Sequence, residues 1–301
     1  MKAKYTIRDF QTEFPNDDVC LKWLKDFLYP AGIECHKCGK VTKHHKVVSR
    51  KSYSCDVCGH HVHPTAGTIY HKSSTPLTLW FYAIYLMSST RCGISAKQLE
   101  RELGVTYKTA WRMFKQIRSM LQENRSPLSG QVEVDEAFIG GRQRGAPGRP
   151  TSASNKTTVV GAVERGGDVI AKVVASTARE NVVGHITENV VPGTTVFTDQ
   201  FRGYKSVGAL GYDHWVINHS VEYVLGFIHT NSIEGFWSLF KGGIRGVYKH
   251  VGRSYVQSYL NEYTFRYNRR RSQVPMFKHF LGQTSQLAWW TPYADRVSSS
   301  L

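Results

Sequence analysis

No stretch of this sequence stays apolar long enough to cross a bilayer. The longest strongly apolar run, residues 79–87, falls far short of the roughly 20 residues a spanning helix needs, and the first residues lack the apolar core of a secretion signal. Acidic residues are scarce: 23 Asp and Glu stand against 39 Lys and Arg, a formal net charge of +16. That imbalance predicts a polyanionic partner, with nucleic acid first and an anionic membrane surface second. No basic helix with a clear apolar face supports the membrane, so none is expected as a partner. Cysteines are too few for a disulfide framework; four of the six fall into two Cys-x-x-Cys pairs, the pattern of metal binding. The other two, Cys20 and Cys92, stand alone and are expected in the core. No internal repeat is present. These absences leave a soluble intracellular protein as the expectation.

What is present is modular. With 41% hydrophobic residues in 301, the chain can bury more than one core. Residues 1–75 read as a small ribbon module entered by a helix over 17–29, where Val19, Leu21, Leu24 and Leu28 carry the apolar spacing. Residues 76–125 read as an all-helical module, which Ser126, Pro127, Ser129 and Gly130 then break. From 126 the pattern changes to short β-rich runs, VEVDEAFIG, TTVVGAVE, DVIAKVVAS and TTVFTD, with a helix between the third and fourth. An α/β domain is therefore expected over 126–285, followed by a tail, 286–301, in which Trp289 and Trp290 suggest some packing. Residues 142–156, rich in Gly, Pro, Ser and Arg, read as a mobile loop between two strands.

Cys35 and Cys38, then Cys55 and Cys58, repeat Cys-x-x-Cys with 16 residues between the pairs. Four soft ligands from two tight turns, each followed by a glycine (Gly39 and Gly59), are what one structural Zn²⁺ requires, and four thiolates leave no open position for catalysis. His60, His61 and His63 are alternative ligands, better read as surface or DNA-facing residues. Lys43, Lys46, Arg50 and Lys51 lie between the pairs with no acidic residue among them, so this hairpin can lie against phosphates; a solvated charged face is the plainer alternative. Further on, Ser95, Leu99, Leu103, Gly104 and Thr106, then Ala110, Met113 and Ile117, spell helix, turn, helix. In a DNA-binding helix-turn-helix the second helix enters the major groove, which points to Tyr107, Lys108, Trp111 and Arg112. Any glycine-turn helical hairpin gives the same pattern.

Three carboxylates end or follow apolar runs in the α/β part: Asp135, Asp199 and Glu234, separated by 63 and 34 residues. Burying carboxylates beside core strands is costly unless a cation compensates. The first gap has room for a three-stranded meander and a helix, the second for a short strand and helix before the helix bearing Glu234. An RNase H-like domain gathers three acids in this way. Two Mg²⁺ ions, or Mn²⁺ in their place, would then clamp the attacking and leaving oxygens of an in-line phosphoryl transfer. Singly, Asp199 reads equally as a turn residue and Glu234 as a surface helix residue; order and spacing argue for a set. Strand alternation puts Glu136 on the opposite face from Asp135, so the two are not expected to share a site, whereas Glu133 remains a competitor. Lys241 follows Glu234 by two helical turns, about 10.5 Å, placed to hold a phosphate beside the metals.

At these residues the sequence resembles bacterial insertion-sequence transposases of the DDE superfamily, in particular the zinc-ribbon group akin to Merlin elements. The resemblance rests on the two cysteine pairs, GISAKQLERELGVTYKTAWRMFKQIR, VEVDEAFIGG, FTDQFRGY and HTNSIEGFWSLFKGGIRGVY, and covers nearly the whole chain. It implies a multidomain protein with an RNase H-like catalytic domain, cleavage at terminal inverted repeats, and joining of the freed 3′ ends to target DNA. A homodimer or larger assembly on DNA and a cytoplasmic, nucleoid-associated location are implied as well. By position it assigns Asp135, Asp199 and Lys241 catalytic roles; the third acid is Glu234, with Asn231, one turn earlier, as the alternative. His229 reads as a site neighbour or as a capping residue. Between Lys241 and Arg271 there are eight Lys or Arg residues and one acid, Glu262, so Arg245, Arg269 and Arg270 join Arg142 and Arg144 as backbone contacts. Tyr255, Tyr259, Tyr263 and Tyr267, recurring every four positions, read as core. The competing readings are a non-catalytic zinc-ribbon regulator and a nuclease or resolvase on the same fold.

Overall fold

The first two helices start at chemically marked positions. Thr6 and Asp9 form a reciprocal capping box at α1 (Ile7–Glu13), and Asn16 caps α2 (Asp17–Leu28) by accepting the Val19 amide at 3.0 Å. The structure, a computed structural model, describes residues 4–140, 156–217 and 229–284. It divides into two compact units, one of Met1–Arg91, Ala96–Met120 and Gln273–Leu301, the other of Cys92–Ser95 and Leu121–Ser272. Arg142, Arg144, Trp289 and Trp290 lie outside the described residues, as does the interior of the loop expected over 142–156.

In the first unit, α2 buries Cys20, Leu21 and Leu24. Short strands follow: β1 (Ile33–Glu34) pairs with β2 (Val41–Thr42), and β3 (His44–Val47), β4 (Ser52–Cys55) and β5 (His61–Val62) form an antiparallel sheet. Helix α3 (Leu77–Ser89) buries Trp80, Phe81, Ile84 and Met87, and no side chain of its own N-cap, Pro76, serves its first amides. Asp17 serves them instead, accepting from Leu77 N at 3.0 Å and Thr78 N at 2.9 Å. Helices α4 (Ala96–Leu103) and α5 (Tyr107–Ser119) pack through Leu99, Leu103, Ala110, Met113, Phe114 and Ile117, joined at Gly104 with φ of +63° and started by Thr106, which accepts the Thr109 amide. The helix Met276–Leu281 completes the unit, its Phe277 ring edge-on to Phe10 and Phe14.

The second unit is built on a five-stranded sheet. Val-rich runs give β6 (Gln131–Ile139), β7 (Thr157–Glu164) and β8 (Val169–Val174) as an antiparallel meander. After helix α6 (Arg179–Asn189), β9 (Thr195–Asp199) adds parallel to β6, and β10 (Asp213–Ile217) parallel to β9, so the spatial order is β10-β9-β6-β7-β8. Leu128, Val132, Val134, Val160, Ala162, Val182, Ile186 and Val196 form the core. A strand and a helix were expected between Asp199 and Glu234; the described residues of that gap hold two 3₁₀ turns, Arg202–Tyr204 and Gly208–Leu210, and β10. Helix α7 (Asn231–Gly243) then lies across β6 and β7, and α8 (Val256–Asn268) runs along β8. Gln257 and Asn268 of α8 bond the outer backbone of β8: Val173 N donates to Gln257 at 2.7 Å, and Val169 exchanges two bonds with Asn268 at 2.8 and 3.0 Å. Tyr259 and Tyr263 are buried, in keeping with a core reading. Cys92, in contrast, is exposed: it stands in a bend just before Gly93, whose φ is +88°, and its carbonyl accepts from the Tyr263 hydroxyl. Among the described residues no helix is long and apolar enough to cross a membrane.

Candidate active site and metal centre

Strands β6 and β9 pair only through Gln131, Val132 and Glu133 opposite Thr195, Val196 and Phe197. Beyond that register they separate, and the space between their ends is where the acids meet. Carboxylate oxygens of Asp135, Glu136 and Asp199 all lie within 4.8 Å of one another. Glu136 thus joins Asp135, against the expectation from alternation. No β9 residue is paired to β6 at this height, and the Tyr204 hydroxyl donates to the Glu136 carboxylate at 2.8 Å. Asp199 also accepts the Phe201 amide at 2.9 Å, which sets the turn that brings Tyr204 back.

Burial, with Glu136 and Asp199 adding like charge, pushes the Asp135 carboxyl up to about 7; the Glu136 amide and Lys241 oppose the shift. Such crowding is relieved by a cation, and three convergent oxygen ligands suit a hard divalent ion. Asp135 lines a cleft of about 460 Å³ together with Glu234, Trp237, Ser238, Lys241, Gly242 and Arg245. Glu234 and Lys241, two turns apart on α7, therefore share one wall. Burial lowers the Lys241 pKa, Asp135 counteracts this, and Arg245 and Lys156 add to it. Asn231 is exposed at the first position of α7 and is not among the residues lining the cleft. The cleft wall packs closely on the sheet: a Cβ built on Gly161, the β7 partner of Asp135, would lie 2.8 Å from the Trp237 ring.

Glu133 has a different place. Fully buried, it accepts the Ser232 and Ile233 amides at 2.7 and 3.0 Å and pairs with Arg165 Nε at 2.8 Å. Arg165 also donates to the His229 carbonyl at 2.7 Å and lies 3.9 Å over the Phe197 ring; His229 Nδ1 is 3.2 Å from Glu133. Sequence reasoning missed Arg165, Tyr204 and Thr230. The Tyr204 signal was present, a hydroxyl within the FTDQFRGY segment, whereas Arg165 sits in an ordinary hairpin turn.

In the ribbon, Cys35, Cys38, Cys55 and Cys58 converge with all four sulfurs within 4.8 Å, two of the separations being 3.5 and 3.9 Å. A tetrahedron of thiolates about 2.3 Å from Zn²⁺ has edges near 3.8 Å, so the donor set fits the ion. Gly39 and Gly59 take φ of +62° and +68°, and their amides bond back to the carbonyls of Cys35 and Cys55. The Thr42 hydroxyl, then the Cys58 and Val57 amides, pull the Cys55 thiol down to about 6. His60, His61 and His63 do not join the cluster.

The basic candidates fall into two groups. Lys43, Arg50, Tyr107, Lys108 and Arg245 are exposed, and so is Arg112, which donates to the His71 carbonyl at 3.0 Å; Trp111 is half-buried. Others are tied inward: Lys46 to the Val47 carbonyl and Asp18, Lys51 to the Thr75 carbonyl, Arg269 to Glu123 and the Phe265 ring, and Arg270 to the Gly167 carbonyl and the Tyr267 ring.

Residues 15–61, which hold all four cysteines, match the transposase zinc-ribbon domain; residues 127–268, which hold Asp135, Asp199, Glu234 and Lys241, match the ISXO2-like transposase domain. The chain is a transposase by class. More narrowly, it belongs to the family of insertion-sequence transposases that these two domains define. It is 28% identical over 249 residues to an uncharacterized protein in transposable element ISH50 of Halobacterium salinarum, covering 76% of this chain and 84% of that one. It is also 29% identical over 98 residues to an uncharacterized transposase-like protein of Haemophilus influenzae, covering 32% of this chain and 79% of the relative.

Proposed function

We propose that this transposase binds the terminal inverted repeats of an insertion sequence, cleaves at the element ends and joins the 3′-hydroxyl to target DNA by metal-dependent phosphoryl transfer. The observation that carries the reading is the convergence of Asp135 and Asp199 at the separating ends of two parallel strands, with Asp135 also lining a cleft that Glu234 and Lys241 share. The sheet order, a three-stranded meander with two parallel strands added beside its first strand, supports an RNase H-like catalytic domain over 126–285.

Asp135, Asp199 and Glu234 are the proposed ligands of two Mg²⁺ or Mn²⁺ ions, with Asn231 as a neighbour. Divalent cations held there would supply activation of the attacking oxygen and charge stabilisation at the phosphorus. Lys241 and Arg245 hold the DNA phosphate against the cleft. The ribbon over 1–75, stiffened by one Zn²⁺, and a helix-turn-helix formed by α4 and α5 within 76–125 recognise the ends. Tyr107, Lys108, Trp111 and Arg112 face DNA, and Lys43 and Arg50 contact phosphates. Lys46, Lys51, Arg269 and Arg270 would need to exchange their present partners to do the same. Two ends must be brought together, which calls for a homodimer or larger assembly on DNA, in the cytoplasm at the nucleoid.

A strand-transfer assay with Mg²⁺ or Mn²⁺ on DNA carrying the flanking ends tests the reading. Asp135→Ala, Asp199→Ala and Glu234→Ala should each lower joined product by about 10³-fold or more, the scale for loss of a principal electrostatic element, and Asn231→Ala far less. DNA that is bound but never cut or joined by the intact protein would instead establish a regulator. Removing the charges of Lys108 and Arg112 together should weaken end binding, by about 10-fold for two lost phosphate or base contacts, in a mobility-shift titration. Unchanged affinity would take α5 out of the interface.

A further inference from the structure

Helix α7 is started in an unusual way. Its N-cap residue, Thr230, makes no side-chain bond to the helix's first amides. Its hydroxyl instead donates to Glu234 Oε1 at 2.8 Å. The amides of Ser232 and Ile233, the ones a local cap would serve, are taken by Glu133 from strand β6, 99 and 100 residues away in sequence. Glu133 is suited to this: a carboxylate at a helix N-terminus is favoured by the aligned peptide dipoles, and Arg165 compensates its charge in the interior. Glu133 stands two residues before Asp135 on the same face of β6, so the strand that carries one acid of the cleft also anchors the helix that carries another.

We infer that Glu133 and Thr230 are positioning residues for Glu234: by capping α7 from the strand, Glu133 releases the Thr230 hydroxyl to orient the Glu234 carboxylate in the cleft wall. One carboxylate oxygen held by a donor restricts the rotamers of an otherwise exposed side chain, the arrangement by which partners behind a ligand raise metal affinity. The inference rests on the metal-binding reading of the cleft, and its test separates the two.

The test is Mn²⁺ binding by the zinc-loaded full-length protein, read from the electron paramagnetic resonance signal of free Mn²⁺, alongside the thermal unfolding midpoint. Asp135→Asn should abolish tight Mn²⁺ binding. Thr230→Val should weaken it about 10-fold with little change in the midpoint, and Thr230→Ser, which restores the hydroxyl, should bind as the parent does. Glu133→Gln should weaken it too, and adding Thr230→Val to that variant should cost little more, because both act through one hydroxyl. If Thr230→Val binds Mn²⁺ like the parent while Asp135→Asn does not, or if the Thr230→Val and Glu133→Gln effects add in full, the inference is overturned and the metal site stands. If Asp135→Asn binds as the parent does, the metal reading fails and the inference falls with it.

Discussion

His185 shows how a single buried side chain sets a pH response away from the cleft. It lies in α6 at 2% exposure, with Nε2 3.3 Å from the Ile170 carbonyl, and burial brings its pKa down from 6.5 to about 4. The folded state therefore binds this proton less readily than the unfolded chain does. The contribution is complete above pH 6.5 and is lost as pH falls toward 4, a change on the order of 3 kcal/mol for a shift of this size. Denaturant unfolding measured across that range should show a steep acid slope that His185→Gln flattens. An unaltered slope would mean that other groups set it. Asp135 carries the opposite sign: its raised pKa stabilises the metal-free fold below the ordinary carboxylate range and less so as pH rises to about 7. At this scale the sequence singled out Asp135 and Asp199, which the fold brings together, and was silent about their partners. Asp135, Asp199 and Glu234 stand out because each ends or follows an apolar run; alternation puts Glu136 on the opposite face from Asp135, yet where β9 no longer pairs with β6 the two carboxylates come within reach of one another.

Helices and strands were legible where periodicity was local. The Val-rich runs and the Thr106 start of α5 fell where expected, since each depends on neighbours a few residues away. What the sequence concealed was capping from a distance. Asp17 serves α3 across 60 residues and Glu133 serves α7 across 99; Pro76 offers α3 no cap, and Thr230, a residue type that commonly caps, spends its hydroxyl on Glu234 instead. The close approach of α7 to the sheet was equally hidden. Gly161 reads as a weak point in a strand, yet it is the position over which the Trp237 ring lies. Gly161→Ala should therefore push α7 outward. The expected cost is about 1–3 kcal/mol of stability, as in other overpacked cores, together with reduced strand transfer. Equal stability of parent and variant in chemical denaturation would show that the ring can shift freely.

Across the whole molecule, the two compact units separate the zinc-binding cysteines from the acidic cleft, and the two family domains fall one in each. Removing zinc with a chelator, or replacing Cys35 by Ser, should accordingly abolish selective binding of DNA ends. It should leave Mn²⁺ binding at the cleft intact, which calorimetry on the same samples can check. Loss of both together would mean that the units do not fold independently. The net charge of +16 was the first pointer to DNA, but it said nothing about which basic residues are available; the tethering of Arg269 to Glu123 and of Arg270 to Gly167 emerges only once the chain is folded. The side-chain amides of Gln257 and Asn268 along β8 have a further consequence. An open sheet margin is a template on which a second strand can dock, and copies gathered at high local concentration along one DNA molecule would be prone to fuse there into insoluble ribbons. With the Val169 amide and carbonyl and the Val173 amide already answered by α8, that margin offers an incoming strand only a broken ladder, so crowding on DNA need not become aggregation at this side of the sheet.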